Sequence, residues 1–172
     1  MRKPEIIQQK IYQLPELLLK LAGLRFLGKS IGFTNGVFDI IHQGHIASLS
    51  QAAKEADFLI VGLNADVSVK KIKGPSRPIN DERSRAIVIA SLLMVDAVVL
   101  FEDETPLELI KTIMPDVMVK GGDYTIEQIA GAKEVIANGG RVVINPIVEG
   151  FSTTNIIAKF GRETRDERRE SK

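Results

Sequence analysis

Cysteine is absent from this sequence of 172 residues. That absence excludes a disulfide scaffold, a catalytic thiolate and a metal site with cysteine ligands. Long apolar runs are also missing, because no segment approaches the roughly 20 residues that a helix needs to span a bilayer. The N-terminal stretch MRKPEIIQQKIYQLPELL is interrupted by Pro4, Glu5 and Glu16, so it lacks the apolar core of a signal peptide. We therefore expect a cytoplasmic protein without a membrane partner.

An excess of charge of one sign is missing as well. The chain has 23 basic and 22 acidic residues and a net charge of +1, so no overall field attracts nucleic acid or an anionic membrane. Any positive site must be local. The length suits one domain, which we expect at residues 1–160. Residues 161–172, GRETRDERRESK, carry no apolar side chain and are predicted to form a disordered, charged tail.

Nearly continuous apolar runs predict five strands that are buried on both faces of a parallel sheet. These runs are IGFTNG, DFLIVGLN, DAVVLF, DVMVK and RVVINPIV, at residues 31–36, 57–64, 96–101, 116–120 and 141–148. Helical patterns alternate with them at residues 15–30, 42–55, 81–94, 106–114 and 126–138. The alternation predicts a doubly wound, mostly parallel five-stranded α/β sheet with helices on both faces.

Histidine is scarce: the chain has two, and both lie in FDIIHQGHIASL, residues 38–49. His42 and His45 share one face at the start of a predicted helix, directly after the first strand. A helix N-terminus offers unpaired N–H groups and a positive dipole end to phosphate, and Gly44 gives a bulky phosphate access to the backbone. The pattern favours phosphoryl or nucleotidyl transfer. The alternatives are histidines that satisfy local hydrogen bonds, and a zinc site that would need a third ligand.

The stretch TNGVFDIIHQGH resembles the strand–turn–helix signature of the cytidylyltransferase-like nucleotidyltransferases, whose hallmark is H-x-G-H. The segments VGLNADVSVKKIKGPSRPIN, LLMVDAVVLFEDETP, MPDVMVKGGDYTIEQIAGA and VEGFSTTNII follow in the order found in D-glycero-β-D-manno-heptose 1-phosphate adenylyltransferases. The resemblance covers about residues 15–160. It implies a Rossmann-like fold, a homodimer, and transfer of AMP from ATP to a sugar 1-phosphate. It also implies Mg²⁺ bound mainly through the ATP phosphates.

Residues 70–85, KKIKGPSRPINDERSR, are predicted to form a basic loop that closes over a polyphosphate; a solvated surface loop is the alternative.

The resemblance implies that the catalytic residues are His42, His45 and Lys73. The implied nucleotide-binding residues are Phe33, Thr34, Asn35, Gly36, Phe38, Gly44, His45, Lys70, Arg85, Lys120, Gly121, Asp123, Ser152 and Thr153. For the sugar phosphate we expect Asp39, Asn64, Asp66 and Arg77, and no metal ligands are predicted. An ordinary turn at VKGGDY, an ordinary helix cap at Ser152 or Thr153, and a turn-forming role for Asp39 stay open.

Two departures separate this chain from the glycerol-phosphate cytidylyltransferases. Those enzymes carry R-T-E-G-I-S-T-T and R-Y-V-D-E, whereas this chain has IVEGFSTT and LMVDA, with Ile147 and Leu93 in place of the initial arginines. One alternative function is a cytidylyltransferase for glycerol or ethanolamine phosphate, which a preference for CTP would reveal. Another is a non-catalytic nucleotide-binding regulator, which would bind ATP without releasing pyrophosphate.

Overall fold

The computed structural model describes residues 4–122 and 124–146, together with residues 153, 156 and 157. All six strands of the described chain run parallel in one sheet, in the order β1-β4-β3-β2-β5-β6. In chain order the elements are α1 (Ile6–Gln9), β1 (Ile11–Tyr12), α2 (Leu14–Phe26), β2 (Ile31–Gly36), α3 (Gln43–Ala52), β3 (Phe58–Asn64), α4 (Asp66–Lys73), α5 (Glu82–Ala90), β4 (Ala97–Phe101), α6 (Leu107–Ile113), β5 (Val117–Gly121), a 3₁₀ turn (Ile126–Gln128), α7 (Ala132–Ala137) and β6 (Arg141–Asn145). The predicted tail lies outside the described residues.

The sheet is doubly wound, as predicted. From β2 the chain moves outward through β3 and β4, then returns to the other side of β2 with β5 and β6. Helices α3 and α5 bury their apolar residues on one face of the sheet, while α2, α6 and α7 do so on the other. The strand order therefore reverses between β2 and β5, and a parallel sheet opens a ligand crevice at the carboxyl ends of its strands at such a point.

The predicted count of five strands is wrong by one. Each predicted run overlaps one observed strand, but β1 at Ile11–Tyr12 is a sixth, which pairs with β4 through Ile11 and Val98. Two residues are too short to show any periodicity, so the sequence pattern carried no signal for this strand. Its place at the sheet edge is reinforced by Lys10, whose Nζ donates to the Val95 carbonyl at 2.6 Å.

The predicted basic loop and one predicted helix also need correction. Residues 70–73 of the predicted loop form the last turn of helix α4, whose C-cap is Gly74 at φ +94°, and residues 82–85 begin helix α5, so the actual loop covers residues 74–81. Lysines fill the last turn of α4, where they complement the negative end of the helix dipole. The predicted helix at residues 126–138 is broken at Gly131, whose φ is +85°. A Cβ at Gly131 would lie 2.7 Å from Ile110 Cδ1, so the break also permits close packing on α6.

Helix α2 buries one stripe and exposes another. Leu17 and Leu21 are fully buried in the core, whereas Leu19, Phe26 and Leu27 are 78%, 90% and 71% exposed. The homodimer stays a prediction, and this exposed apolar surface is one that a second copy could cover. In the described ranges, no helix has both the length and the hydropathy needed to cross a bilayer.

Candidate functional site

The turn after β2 is built to support the histidines. Phe38 has φ +47°, a left-handed conformation that non-glycine residues rarely adopt and that the surrounding structure must maintain. Gly36 makes room for the Phe38 ring, since a Cβ there would lie 2.9 Å from Phe38 Cε2. The ring in turn contacts His45 edge-on, with 5.2 Å between centroids. The conformation of this turn therefore fixes one side of the His45 imidazole.

The two histidines form a stacked pair at the N-terminus of α3. His42 is the N-cap residue, and its carbonyl accepts the His45 backbone N–H at 2.9 Å. Their rings stack with centroids 3.8 Å apart. Burial, with a smaller effect from the neighbouring His42, lowers the pKa of His45 to about 4, and burial also lowers the pKa of His42. His45 is therefore uncharged at neutral pH. Its Nδ1 atom is buried and meets no hydrogen-bond partner in the described part of the chain.

The low pKa of His45 predicts a stability loss in acid. The unfolded chain binds a proton on this imidazole near pH 6.5, whereas the folded protein resists protonation until about pH 4. The contribution of His45 to the free energy of unfolding is thus fully present above pH 6.5 and is lost as the pH falls from 6.5 towards 4. Urea unfolding at pH 7.5 and pH 5 should show a smaller acid loss in His45→Gln than in the unsubstituted protein. Equal losses in the two proteins would contradict this assignment.

A cleft of about 260 Å³ opens beside His45, and we call it the histidine cleft. Three basic side chains reach it from three different elements: His45 from α3, Lys73 from the end of α4, and Arg77 from the loop after α4. The cleft is lined by Val37, Phe38, Asp39, His45, Lys73, Arg77 and Thr153. Basic groups beside a helix N-terminus form a site suited to phosphate.

Asp39 stabilises the loop that carries Arg77. Its carboxylate accepts from Arg77 Nε at 2.7 Å and from the backbone N–H groups of Ile79 and Asn80, each at 2.9 Å. Burial opposes ionisation, yet these backbone donors and the Arg77 guanidinium hold the pKa of Asp39 below its usual value. The side chain is 1% exposed. The Asp39 carboxylate is therefore bound by the loop, which fits the turn-forming role that the sequence left open for it. Asp39 accepts from Arg77 through Nε, so the other guanidinium nitrogens of Arg77 are left for the cleft.

Arg85 also holds this loop in place through buried hydrogen bonds. Its guanidinium is fully buried and donates to Asp66 Oδ1 at 2.7 Å, to the Val37 carbonyl at 2.7 Å and to the Asn80 carbonyl at 3.0 Å. These bonds join α5 to α4, to the turn after β2 and to the loop at residues 74–81. Arg85 and Asp66 therefore contact each other and line neither of the two main clefts, although the sequence indicated a nucleotide role for one and a sugar role for the other.

A second cleft, of about 300 Å³, lies where the strand order reverses, and we call it the switch-point cleft. Asn35 and Asn64 come from the ends of β2 and β3, and Lys120 comes from β5. Lys120 Nζ donates to Asn35 Oδ1 at 3.1 Å and lies 5.8 Å from the centroid of the Tyr124 ring, and burial lowers its pKa. Lys73 lines both clefts, so it connects them.

The glycines of VKGGDY serve close packing. Gly122 has φ +130°, and a Cβ there would lie 2.7 Å from Tyr124 Cε2. A Cβ on Gly121 would lie 3.1 Å from Ser48 Oγ of α3. Close packing therefore explains why glycine stands at both positions. The approach of a nucleotide base to this backbone stays a prediction.

The remaining predicted residues are divided between core, surface and site. Phe33 is fully buried and Thr34 is 6% exposed, so both side chains belong to the interior of the sheet. Lys70 is exposed one turn before Lys73 and lines neither cleft. Thr153 lines the histidine cleft, with its Oγ1 at 3.4 Å from the Ile40 carbonyl. Gly36 lines the switch-point cleft, and Gly44 lies in the first turn of α3; Asp123, Ser152 and Ile147 lie outside the described residues.

Sequence reasoning missed several residues that line the switch-point cleft: Glu104, Thr105, Tyr124 and Gln128. Glu104 and Thr105 follow the carboxyl end of β4, and that position is itself a signal, because ligands bind at this edge of a parallel sheet. In the described ranges, no group of three or more histidine or acidic side chains is placed to hold a metal ion.

The fold and the stacked histidines define a class of protein. The family model for cytidylyltransferase-like proteins matches residues 33–159, and the chain belongs to this family, which confirms the resemblance in its sequence.

Known relatives give the comparison more detail. Bifunctional protein HldE of Caulobacter vibrioides is 56% identical over 138 residues, covering 80% of this chain and 29% of that protein. Bifunctional protein HldE of Caulobacter sp. is 51% identical over 151 residues, covering 88% of this chain and 31% of that protein. The solved lipopolysaccharide core biosynthesis protein of Thermoplasma volcanium is 31% identical with a TM-score of 0.56, covering 70% of this chain and 98% of that one. The chain thus spans about 30% of the length of these two curated relatives.

Proposed function

We propose that the protein transfers AMP from ATP to D-glycero-β-D-manno-heptose 1-phosphate, which gives ADP-heptose and pyrophosphate. The observation that carries the proposal is the convergence of His45, Lys73 and Arg77 on one cleft at the N-terminus of α3. The name of the solved relative, a lipopolysaccharide core biosynthesis protein, and the heptose-type sequence motifs support the sugar substrate. Leu93, which replaces an arginine of the glycerol-phosphate enzymes, is 96% exposed and lines neither cleft.

The proposed reaction is a direct in-line displacement. An oxygen of the sugar 1-phosphate attacks the α-phosphorus of ATP, and the bond between that phosphorus and the bridging oxygen of the β-phosphate breaks. Pyrophosphate leaves with the electron pair. The attacking phosphate is already ionised, so no general base is needed, and catalysis depends on positioning and on neutralising charge. His42, His45 and Lys73 supply that stabilisation, and Arg77 neutralises the leaving phosphates.

Binding of ATP is expected to favour protonation of His45. The low pKa of His45 belongs to the protein without nucleotide, where burial and the neighbouring imidazole oppose protonation. Phosphate oxygens beside the ring favour the protonated form. We therefore expect phosphate binding to raise the pKa of His45, and a protonated ring offers two N–H donors rather than one.

Enzymes of this family generally use a divalent metal with ATP. We propose Mg²⁺, held mainly by the phosphates of ATP rather than by a cage of protein ligands. Mg²⁺ would neutralise phosphate charge, and the basic side chains of the histidine cleft would orient the same phosphates. EDTA should therefore stop turnover, and an excess of MgCl₂ should restore it.

Pyrophosphate release tests the proposal. The protein is incubated with ATP or CTP, Mg²⁺, and a panel that contains the heptose 1-phosphate, glycerol 3-phosphate and ethanolamine phosphate. We expect release with ATP and the heptose 1-phosphate, and little with the other pairs. Release with CTP and glycerol or ethanolamine phosphate would instead identify a cytidylyltransferase. Binding of ATP without release for any acceptor would identify a non-catalytic regulator, and either result would overturn the proposal.

A further inference from the structure

The first residue of α4 is capped by a side chain from another helix. The N-cap residue of α4 is Ala65, whose methyl group cannot accept a hydrogen bond from the first turn, so α4 lacks a side-chain cap of its own. Glu82 supplies the acceptor, because its Oε2 atom accepts the backbone N–H of Asp66 at 2.7 Å. Glu82 is also the first residue of α5, so its negative charge lies near the N-terminal ends of both helices, where it is stabilising.

A second residue of α5 binds the same aspartate. Arg85 Nη2 donates to Asp66 Oδ1 at 2.7 Å. Glu82 and Arg85 are three residues apart and therefore share one face of α5, from which one binds the backbone of Asp66 and the other binds its side chain. We call these three residues the Asp66 clamp. Attachment at two points restricts both the position and the orientation of the start of α4.

The rest of α4 has little buried surface to hold it. Its buried residues are Ser68 and Val69, and its other end passes into a loop at Gly74. Lys73 follows Asp66 by seven residues, which is two helical turns, so the two residues share a face and lie about 10 Å apart along the helix axis. A rotation of about 10° at Asp66 would therefore move the backbone of Lys73 by roughly 2 Å. Misplacement of a catalytic group by about 1 Å can lower turnover by about a hundredfold.

We infer that Glu82 is a positioning residue for the transfer reaction, because it holds the start of α4 so that Lys73, two turns later, reaches both clefts. This inference rests on the proposed function, in which Lys73 stabilises charge that develops on the phosphates. Glu82 lines neither cleft, so it acts through Asp66 and Lys73 without touching the substrate. Stabilisation of developing charge is stronger in the transition state than in the ground state, so a displaced Lys73 lowers kcat more than it raises KM.

Steady-state kinetics of Glu82→Ala test the inference. We expect kcat to fall about fivefold, with KM for ATP and for the sugar 1-phosphate within about twofold of the unsubstituted enzyme. Glu82→Gln is the conservative variant, since its amide oxygen can still accept the Asp66 N–H, and its kcat should stay within about twofold. Arg83→Ala is the matched control on α5, because Arg83 is exposed and lines neither cleft, and its kcat should also stay within about twofold.

A double-mutant cycle with Lys73→Ala shows whether Glu82 acts through Lys73. Lys73→Ala alone should lower kcat at least about tenfold. Addition of Glu82→Ala to Lys73→Ala should then change kcat by less than about twofold, because no lysine is left to be positioned. A general disturbance of the structure would instead lower kcat about fivefold in both backgrounds, and that result would overturn the inference.

The remaining outcomes separate the inference from the proposed function. Thermal unfolding of each variant fixes an assay temperature at which all are folded. An unchanged kcat in Glu82→Ala would remove the positioning role and leave the proposed function standing. Equal losses in Glu82→Gln and Glu82→Ala would assign the effect to the charge of the carboxylate and would also overturn the inference. If the unsubstituted enzyme releases no pyrophosphate with any acceptor, the proposed function fails, and the inference fails with it.

Discussion

Replacement of His45 by alanine is expected to lower kcat at least about tenfold at saturating ATP and sugar 1-phosphate. The ring stands at the N-terminus of α3, stacked on His42 and beside the cleft that Lys73 and Arg77 also reach. Its N–H groups follow charge that develops on the phosphate oxygens during transfer, so the loss should fall on kcat more than on KM. Pyrophosphate release at saturating substrates measures it.

Gln43→Ala is the control for this substitution. Gln43 is exposed in the same first turn of α3 and lines neither cleft, so its replacement should leave kcat within about twofold. Thermal unfolding of both variants separates a loss of catalysis from a loss of fold. An unchanged kcat in a folded His45→Ala enzyme would remove His45 from the catalytic assignment.

Replacement of Arg85 by alanine is expected to lower the free energy of unfolding by about 3 kcal/mol. The substitution leaves the carbonyls of Val37 and Asn80 and the Asp66 carboxylate without their buried donor. We take the lower end of the range for broken buried ion pairs because the Asp66 side chain is 29% exposed and regains water. For a chain of this size the loss corresponds to a fall in Tm of roughly 6–12 °C.

Arg83→Ala provides the matched comparison, because Arg83 lies on the same helix and is exposed. We expect its free energy of unfolding to change by less than about 0.5 kcal/mol. Urea unfolding at pH 7.5 measures both variants. Equal stability of Arg85→Ala and Arg83→Ala would mean that the Arg85 bonds do not hold the α4–α5 loop in place.

The sheet could be predicted because its longer strands are nearly continuous apolar runs in the sequence. From Leu59 to Asn64, β3 is buried without interruption, and burial on both faces imposes a continuous apolar run that sequence inspection detects. Strand β1 lacks this signal because two residues cannot show a pattern. The pattern predicts a loop over the last four residues of α4 because their lysines and the glycine and prolines that follow are typical of loops, while the buried face of this helix is limited to Ser68 and Val69.

The candidate site was predictable where a local motif carried it. The histidine pair depends on i, i+3 spacing at a helix start, and the structure stacks the two rings as that spacing allows. Asp39, Asp66 and Arg85 were harder because a charged residue in a sequence does not reveal whether it faces a ligand or another part of the protein. In the structure all three take part in ion pairs within the protein. Asn64 donates to Ser68, and Ser68 donates to the Asp103 carbonyl 35 positions further along the chain, so no local pattern indicates these bonds.

The position of Lys73 on both clefts has a consequence for how such a protein can diverge. The described residues that line the histidine cleft lie between Val37 and Arg77, apart from Thr153, whereas Glu104, Thr105 and Gln128 of the switch-point cleft come from later in the chain. Substitutions in these later loops can reshape the switch-point cleft without changing the residues that line the histidine cleft. Lys73 lines both clefts, so its replacement alters both at once, whereas changes at residues 104, 105 and 128 alter the switch-point cleft alone.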